Sequence, residues 1–195
     1  MKIGFIAPMK EELAPLIRCL DNMTTRDFKL QRVYEGALDG KPAAAICSGV
    51  SKVNAAMSAQ LLIDLFGVSH VVVIGVAGGM SPQLTLGDTL VVESSTYHDV
   101  DWMFFSDYFP HIREKNFPSD RGLLECSKRA AQGRDLRQKI HFGSLVTGDS
   151  FIEQEGREEI IRNHNPLCVD METAAIAHVC HINGIPYIAY RSVSD

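Results

Sequence analysis

The sequence predicts an α/β fold: a three-layer α/β/α sandwich with a mixed, mostly parallel central sheet. Short apolar runs of strand length alternate with helical segments along all 195 residues, which is the pattern of a sheet covered by helices. Residues 3–7 and 71–74 are apolar without alternation, as is typical of strands buried on both faces. Paired strands within 28–47 and at 86–92 indicate that the sheet is mixed rather than purely parallel.

The first helix is expected directly after the first strand, residues 3–7. Pro8 opens this helix, because the missing N–H of proline is not needed in a first turn. Glu11 and Glu12 lie in that turn, where the helix dipole favours negative charge. Apolar residues continue the helical pattern as far as Leu20, so we expect the helix to extend to that point.

The remaining elements alternate in the same way. Two strands, 28–38 and 42–47, are joined by a turn at Asp39-Gly40. The other predicted strands are 71–74, which ends at the glycine-rich segment 75–79, then 86–92, 140–146, 167–169 and 185–192. The other predicted helices are 52–66, 123–131, 151–163 and 171–183. Residues 96–118 are rich in aromatic side chains but follow neither the helical nor the strand periodicity.

Length and composition indicate one globular domain. Hydrophobic residues make up 46% of the chain and charged residues 22%, and a chain of this size buries roughly 70% of its unfolded surface. The net charge of −5 lacks the basic footprint of a nucleic-acid-binding protein. No segment reaches the ~18 apolar residues of a membrane helix. The five cysteines have no CxxC spacing, which favours reduced thiols and a cytoplasmic location.

Three acidic residues stand at junctions next to predicted strands. Glu12 lies early in the first helix, Glu172 opens a later helix, and Asp195 follows the last strand. Junctions of this kind emerge at one edge of a parallel sheet, so the three carboxylates are expected to converge. Hydrolysis of a glycosidic bond uses such groups to activate water and to protonate the leaving group. A preference of acids for helix N-termini explains Glu12 or Glu172 taken singly.

Other patterns indicate less. The glycine-rich segment 75–79 stands at a strand end, where α/β proteins bind ligands, but Pro82 prevents the helix that a dinucleotide motif requires. Residues 48–52 resemble part of a phosphate loop without its full frame. Each turn taken alone is more often a simple tight turn. His178 and His181 lack a recognisable set of further ligands, so no metal is expected.

Several short motifs occur in order along essentially the whole chain. They are Met1-Lys2-Ile3-Gly4 with Met9-Lys10-Glu11-Glu12, Ser48-Gly49-Val50-Ser51-Lys52-Val53, Gly75-Val76-Ala77-Gly78-Gly79, Thr147-Gly148-Asp149-Ser150-Phe151-Ile152, Asp170-Met171-Glu172-Thr173-Ala174-Ala175 and Arg191-Ser192-Val193-Ser194-Asp195. Together they resemble the 5′-methylthioadenosine/S-adenosylhomocysteine nucleosidases of the purine nucleoside phosphorylase superfamily. Each motif is weak alone, and the combination is specific.

The resemblance implies a reaction and its catalytic residues. The reaction is hydrolysis of the N-glycosidic bond of 5′-methylthioadenosine and S-adenosylhomocysteine, without a cofactor or metal, releasing adenine and a 5-thio-substituted ribose. Glu12 matches the acid that holds and activates the attacking water. Asp195 matches the aspartate that donates a proton to purine N7. Glu172 matches the residue that binds the ribose hydroxyls, and Met171 packs beneath the sugar.

The resemblance also implies the residues that bind the substrate's two ends. Phe151 matches the aromatic residue that stacks on adenine, and the backbone of Ile152 matches the group that contacts the base edge. Gly78 belongs to the ribose and water site. Met9 and Val50 would line the pocket for the 5′-thio group.

A homodimer follows from the same resemblance. The aromatic stretch near residues 102–105 would line the 5′-thio pocket, and in the family it partly serves the neighbouring subunit. The extended aromatic segment 102–109 suits an interface or pocket lid better than a solvated loop. The alternative is a satellite core cluster.

Two departures from the family keep alternatives open. Val76 replaces a serine often found in the glycine-rich turn. The family continues beyond Asp195 into a covering helix, so the expected organisation is one nucleosidase domain over residues 1–195 without that helix. The alternatives are a phosphate-dependent nucleoside phosphorylase, a truncated and inactive nucleoside-binding homologue, and a nucleosidase for another 5′-substituent. Phosphorolysis requires arginines at the glycine turns, and none adjoins Gly78, which favours hydrolysis.

Overall fold

The computed structural model describes residues 1–108, 114–132 and 138–195, and this part of the chain forms an α/β domain. Its strands are β1 (Ile3–Ala7), β2 (Asp21–Phe28), β3 (Gln31–Leu38), β4 (Lys41–Cys47), β5 (His70–Gly79), β6 (Thr89–Tyr97), β7 (Phe117–Pro118), β8 (Ile140–Thr147), β9 (Cys168–Asp170) and β10 (Tyr187–Val193). Its helices are α1 (Lys10–Ile17), α2 (Lys52–Phe66), α3 (Trp102–Tyr108), α4 (Arg121–Ala131), α5 (Arg157–His164) and α6 (Thr173–Asn183).

All the described strands belong to one mixed sheet in the order β10-β6-β8-β9-β5-β1-β4-β3-β2, with β7 paired to β6. Parallel pairs join β1 to β4 and β5, β5 to β10, and β8 to β6 and β9. The β2-β3-β4 meander is antiparallel, as are the pairs β10–β6, β5–β9 and β6–β7. Because β10 also pairs with β5, five strands close into a ring. The predicted mixed α/β sheet is confirmed.

Helices cover both faces of this sheet. Successive side chains of a strand point to opposite faces, so Phe5 packs with Leu13 of α1 in one apolar cluster, whereas Ile6 packs with Leu62 of α2 in the other. Helix α6 lies in the second cluster beside α2. Helix α4 lies on the α1 side, where the hydroxyl groups of Ser127 and Tyr190 are 2.7 Å apart. Each fully buried leucine or isoleucine contributes about 1.5–3 kcal/mol.

Most predicted elements are confirmed, among them β1 and α2 with the expected bounds. The Asp39-Gly40 turn is also confirmed, because both residues adopt the positive φ angles, 49° and 73°, of a tight hairpin turn. Predicting a helix as far as Leu20 was wrong. Helix α1 ends at Ile17 and β2 follows, a strand that sequence periodicity missed because its side chains are mostly exposed and polar.

Other boundaries also differ from the prediction, among them the start of helix α1, which is Lys10 and not Pro8. Strand β5 does not end before the glycine-rich segment but continues through it, because residues 75–77 pair with β10 and residues 78–79 pair with β9. The helix expected at 151–163 spans only Arg157–His164. Helix α3 forms within the aromatic stretch that had no clear period. No helix in the described ranges is long and apolar enough to cross a lipid bilayer.

Candidate active site

A cavity of about 190 Å³ lies at the ends of the parallel strands β1, β4, β5 and β10, which is the usual ligand site of an α/β sheet. Nine of the residues that the sequence assigned to the site line this cavity. These residues are Met9, Glu12, Val50, Gly78, Phe151, Ile152, Met171, Glu172 and Asp195. The structure therefore brings together side chains from the segments that follow β1, β4, β8, β9 and β10, together with the end of β5.

Glu12 is held in place by two backbone amides. Its Oε2 accepts a hydrogen bond from the N–H of Met9 (2.8 Å), and its Oε1 accepts one from the N–H of Val76 (2.8 Å). The second bond crosses from α1 to the glycine-rich end of β5. A Cβ on Gly75 would overlap both the Arg191 guanidinium and the Glu12 carboxylate, so a glycine is required for this close approach.

Glu172 is the most deeply buried of the three predicted acids, with 4% of its surface exposed. Its Oε1 accepts a hydrogen bond from the N–H of Ser51 (3.0 Å), and its Oε2 lies 3.4 Å from Arg191 Nη2. Burial, reinforced by the nearby charge of Asp170, raises the pKa of Glu172 to about 7, although Arg191 acts in the opposite direction. This carboxyl therefore titrates near neutral pH.

Sequence reasoning missed Arg191, which is fully buried behind the cavity. Its Nη2 lies 2.6 Å from Asp170 Oδ2, and its Nε and Nη2 donate to Thr173 Oγ1 at 3.1 and 3.0 Å. Asp170 Oδ1 also accepts from the hydroxyl of Thr147 (2.6 Å). A signal was present, because Arg191 continues an apolar strand and a buried arginine needs a carboxylate partner. The identity of that partner depends on strand pairing.

Asp195 lies at the mouth of the cavity and is exposed. Its Oδ1 accepts a hydrogen bond from the hydroxyl of Ser194 (2.9 Å) and would be 3.3 Å from a Cβ on Gly78. The N–H of Ser194 donates to the carbonyl of Ala77 (3.0 Å), which ties the end of β10 to β5. The Asp195 carboxylate is thereby placed over Gly78.

The apolar residues of the cavity differ in exposure. Phe151 is 78% exposed and stands on the rim, whereas Ile152 is half-buried against the small apolar cluster of Met80 and Val169. Met9 and Val50 are exposed at 39% and 44%. The cavity thus has an apolar, open rim above a charged interior.

None of the described residues of the aromatic stretch lines this cavity. Trp102 packs into the core, stacked on Tyr97 with ring centroids 6.1 Å apart. Phe104 is exposed, and its ring lies 4.7 Å from that of Tyr108. The side chain of Phe105 and all of Phe109 lie outside the described residues. Within one chain, the expectation that Trp102 lines the pocket is wrong, because this side chain fills the core instead.

Comparison with known proteins agrees with this geometry. The family model described as the phosphorylase superfamily matches residues 2–195. A 5′-methylthioadenosine/S-adenosylhomocysteine nucleosidase of Geobacillus kaustophilus is 37% identical over 100% of this chain and 84% of its own length. That of Anoxybacillus flavithermus is 34% identical over 100% of this chain and 85% of its own. The chain belongs to the nucleosidase family of the phosphorylase superfamily.

Solved structures that resemble this chain share its fold. The Streptococcus pneumoniae nucleosidase with the transition-state inhibitor MT-ImmA gives a TM-score of 0.91 at 33% identity, over 100% of this chain and 86% of its own. The Colwellia psychrerythraea nucleosidase in complex with adenine gives a TM-score of 0.92 at 32% identity, over 100% of this chain and 82% of its own. A futalosine hydrolase mutant of Helicobacter pylori gives 0.87 at 26%, over 100% and 89%. The resemblance inferred from the motifs is confirmed.

Proposed function

We propose that the protein hydrolyses the N-glycosidic bond of 5′-methylthioadenosine and S-adenosylhomocysteine and releases adenine with a 5-thio-substituted ribose. The observation that supports this most strongly is the meeting of Glu12, Glu172 and Asp195 on one cavity. Relatives that match the whole chain are nucleosidases for these two substrates. Breaking the bond requires a base for water and an acid for the leaving purine.

Glu12 is proposed to activate the attacking water. Each of its oxygens accepts one backbone N–H, which fixes the carboxylate and leaves further lone pairs to accept a proton from water. As the bond to the base breaks, positive charge develops on the sugar, and a nearby carboxylate stabilises that charge. Glu12 thus assists the reaction as base and as counter-charge.

Asp195 is proposed to protonate N7 of adenine, so that the base leaves as a neutral molecule. Its position above Gly78, where no side chain intervenes, gives a flat purine room to approach the carboxyl. The hydrogen bond from Ser194 holds one oxygen and leaves the other to face the ligand.

The ribose is proposed to lie between Gly78 and Met171. Glu172 accepts hydrogen bonds from its hydroxyl groups, a role suited to a carboxylate whose other contacts are already fixed by Ser51 and Arg191. Met171 packs beneath the sugar as a flexible apolar surface.

The two ends of the substrate are proposed to reach the apolar rim. Phe151 stacks on adenine, and the backbone of Ile152 contacts the edge of the base. Met9 and Val50 contact the 5′-thio group. Because Phe151 is 78% exposed, stacking on a base would remove much of that ring from water.

Phosphorolysis is less well supported. The described residues that line the cavity include Glu12, Asp170, Glu172 and Asp195 but no lysine or arginine. The guanidinium of Arg191 is buried behind them and engaged by acids. A phosphate dianion would therefore meet negative charge without a cation on that surface.

Hydrolysis of a nucleoside with a different 5′-substituent is the second candidate function. The observation that favours it is the likeness to a futalosine hydrolase structure. Met9 and Val50 leave the 5′ end of the cavity partly open. Competition between methylthioadenosine and nucleosides with larger 5′-groups separates the two functions.

A homodimer is proposed as the working state. Helices α2 and α3 present large exposed apolar side chains, of a kind that monomers seldom cluster on their surface. These are Val53, Met57, Met103, Phe104 and Tyr108. Sedimentation is expected to give twice the chain mass, and Met57→Lys combined with Met103→Lys is expected to give monomers. A monomeric unmodified chain would contradict this.

We also propose a cytoplasmic location, supported by five free cysteines.

The decisive test is adenine release from methylthioadenosine in phosphate-free buffer. Glu12→Gln and Asp195→Asn are each expected to lower turnover at least ~100-fold, the usual contribution of a positioned acid or base. Glu11→Gln is the matched control, because Glu11 lies in the same helical turn but does not line the cavity. Full activity in Glu12→Gln would remove Glu12 from the mechanism, and release only in the presence of phosphate would indicate a phosphorylase.

A further inference from the structure

The start of α2 binds the loop that contains the proposed adenine-binding residues. The N–H of Lys52 donates to Asp149 Oδ1 (3.0 Å), and Lys52 Nζ lies 3.3 Å from Asp149 Oδ2. Asp149 begins the segment 149–152, which forms one wall of the cavity through Ser150, Phe151 and Ile152. We call this segment the base loop. Lys52 thus binds the base loop through both its backbone and its side chain.

A third segment completes the cluster. Asp99, just after β6, accepts hydrogen bonds from Lys52 Nζ on both carboxylate oxygens (2.9 and 2.8 Å). Its Oδ2 also accepts from the N–H of Asp149 (2.9 Å). Burial opposes ionisation of Asp99, but the hydrogen bonds from Lys52 and Asp149 outweigh it and lower the pKa of Asp99. Each member of the Lys52–Asp99–Asp149 cluster therefore contacts the other two.

The amide just before α2 holds the opposite part of the site. The N–H of Ser51 donates to Glu172 Oε1 (3.0 Å), and the next N–H along the chain, that of Lys52, donates to Asp149. Consecutive amides therefore bind one carboxylate from the proposed ribose site and one from the base loop. The start of α2 therefore links these two parts of the cavity.

The chain just before the base loop lies so close to the end of β6 that no side chain fits at Gly148. A Cβ on Gly148 would overlap the imidazole ring of His98. The N–H of His98 in turn donates to the carbonyl of Thr147 (3.1 Å). The start of the base loop is thus packed against His98 and is also held by Lys52.

We propose that Lys52 is a positioning residue that sets the base loop relative to Glu172 before substrate binds. This inference rests on the proposed function, because the loop would hold the adenine base. Lys52 is absent from the cavity lining, so it acts through Asp99 and Asp149 and not through the substrate. A preordered loop lowers the entropy cost of binding. The benefit is equal for bound substrate and transition state, so it lowers KM and leaves kcat unchanged.

Kinetics with methylthioadenosine and equilibrium binding of adenine test this role. Lys52→Gln is expected to raise both KM and the adenine Kd by about tenfold, with kcat changed by less than about threefold. Lys52→Arg retains the cation and is expected to recover most of the affinity. A purely structural role would instead lower kcat through loss of folded enzyme and leave KM and Kd unaltered.

Lys2→Gln is the matched control. The ion pair of Lys2 and Glu35 is exposed to a similar degree, 25% and 26%, as that of Lys52 and Asp99, 21% and 30%, and does not line the cavity. This variant is expected to keep the parent KM and Kd.

Asp99→Asn removes a charge with little change of shape and provides a second test where Lys52→Gln fails to fold. It is expected to raise KM and the adenine Kd in the same direction. Unchanged KM and Kd in the folded variants, or an equal rise in Lys2→Gln, would overturn the role of Lys52. Absence of turnover in the unmodified chain would overturn the proposed function instead, and adenine binding would still report on the loop.

Discussion

Two ionic clusters with the same arrangement of charges, one cation between two carboxylates, lie at the cavity. In the buried cluster, Arg191 lies between Asp170 and Glu172, with side-chain exposures of 0%, 2% and 5%. In the Lys52–Asp99–Asp149 cluster, the side-chain exposures are 21%, 30% and 46%. Burial is the main difference between them, and it changes what each cluster does.

Burial reverses the direction in which an acid's pKa moves. For Glu172, loss of water outweighs the attraction of Arg191, and the pKa rises to about 7. For Asp99, the hydrogen bonds from Lys52 and Asp149 outweigh a smaller loss of water, and the pKa falls. The cation types fit these settings, because a guanidinium presents several fixed donors to buried partners, whereas an ammonium is a compact, strongly hydrated charge. We therefore expect the buried cluster to determine stability and the exposed cluster to determine the position of the base loop.

Removal of the buried cation has the largest expected effect. Arg191→Met leaves Asp170 and Glu172 buried without a counter-charge and is expected to lower the free energy of unfolding by about 3–5 kcal/mol. Arg191→Lys is expected to fall between this variant and the parent, because an ammonium cannot reach both acids and Thr173 in the same geometry. Urea unfolding followed by circular dichroism measures both losses.

Arg32→Met is the control for that prediction. Arg32 and Asp27 form an equally short pair at 2.6 Å, but their side chains are 55% and 59% exposed. Pairs of this kind contribute little to stability, so the unfolding midpoint is expected to stay close to that of the parent. Equal losses in the two arginine variants would show that burial does not distinguish the clusters.

The titration of Glu172 gives the second effect. Its pKa is raised from 4.5 to about 7 on folding, so the folded protein binds this proton more tightly than the unfolded chain does. The resulting stabilisation is fully present below about pH 4.5 and is lost as pH rises through about 7. Its size is up to about 3 kcal/mol, at about 1.4 kcal/mol per pKa unit.

Glu172→Gln cannot titrate, so its stability relative to the parent is expected to increase steadily between pH 5 and pH 8. Urea unfolding at four pH values measures this difference, in which the titration of groups that do not interact with Glu172 cancels. Glu11→Gln, at an exposed position, is expected to run parallel to the parent. A parallel course for Glu172→Gln as well would show that Arg191 fully compensates the burial of Glu172.

Glu172 reaches the same cavity as Glu12 and Asp195 although it follows β9, which runs antiparallel to β5, so the rule for parallel strands does not account for it. The convergence of Glu12 and Asp195 could be predicted from the sequence, because β1 and β10 both run parallel to β5 and end at one edge. The partners of Arg191 could not, since they depend on which strands pair. The Lys52–Asp99–Asp149 cluster joins three loops far apart in sequence, and no periodic pattern marks loop contacts. Strand β2 escaped detection because an exposed edge strand needs no apolar alternation, as its residues from Asp21 to Asp27 show.

Salt gives the smallest expected effect and separates the clusters most directly. The Debye length falls from about 10 Å at 0.1 M to about 3 Å at 1 M salt, and screening acts mainly on exposed charges. Methylthioadenosine carries no net charge, so charge screening does not act on the ligand itself. The KM of the parent is expected to rise about twofold to threefold over this range as the contacts of Lys52 weaken. Lys52→Gln lacks those contacts, so its higher KM should not vary with salt, whereas a similar rise in both proteins would place the salt effect outside the Lys52–Asp99–Asp149 cluster.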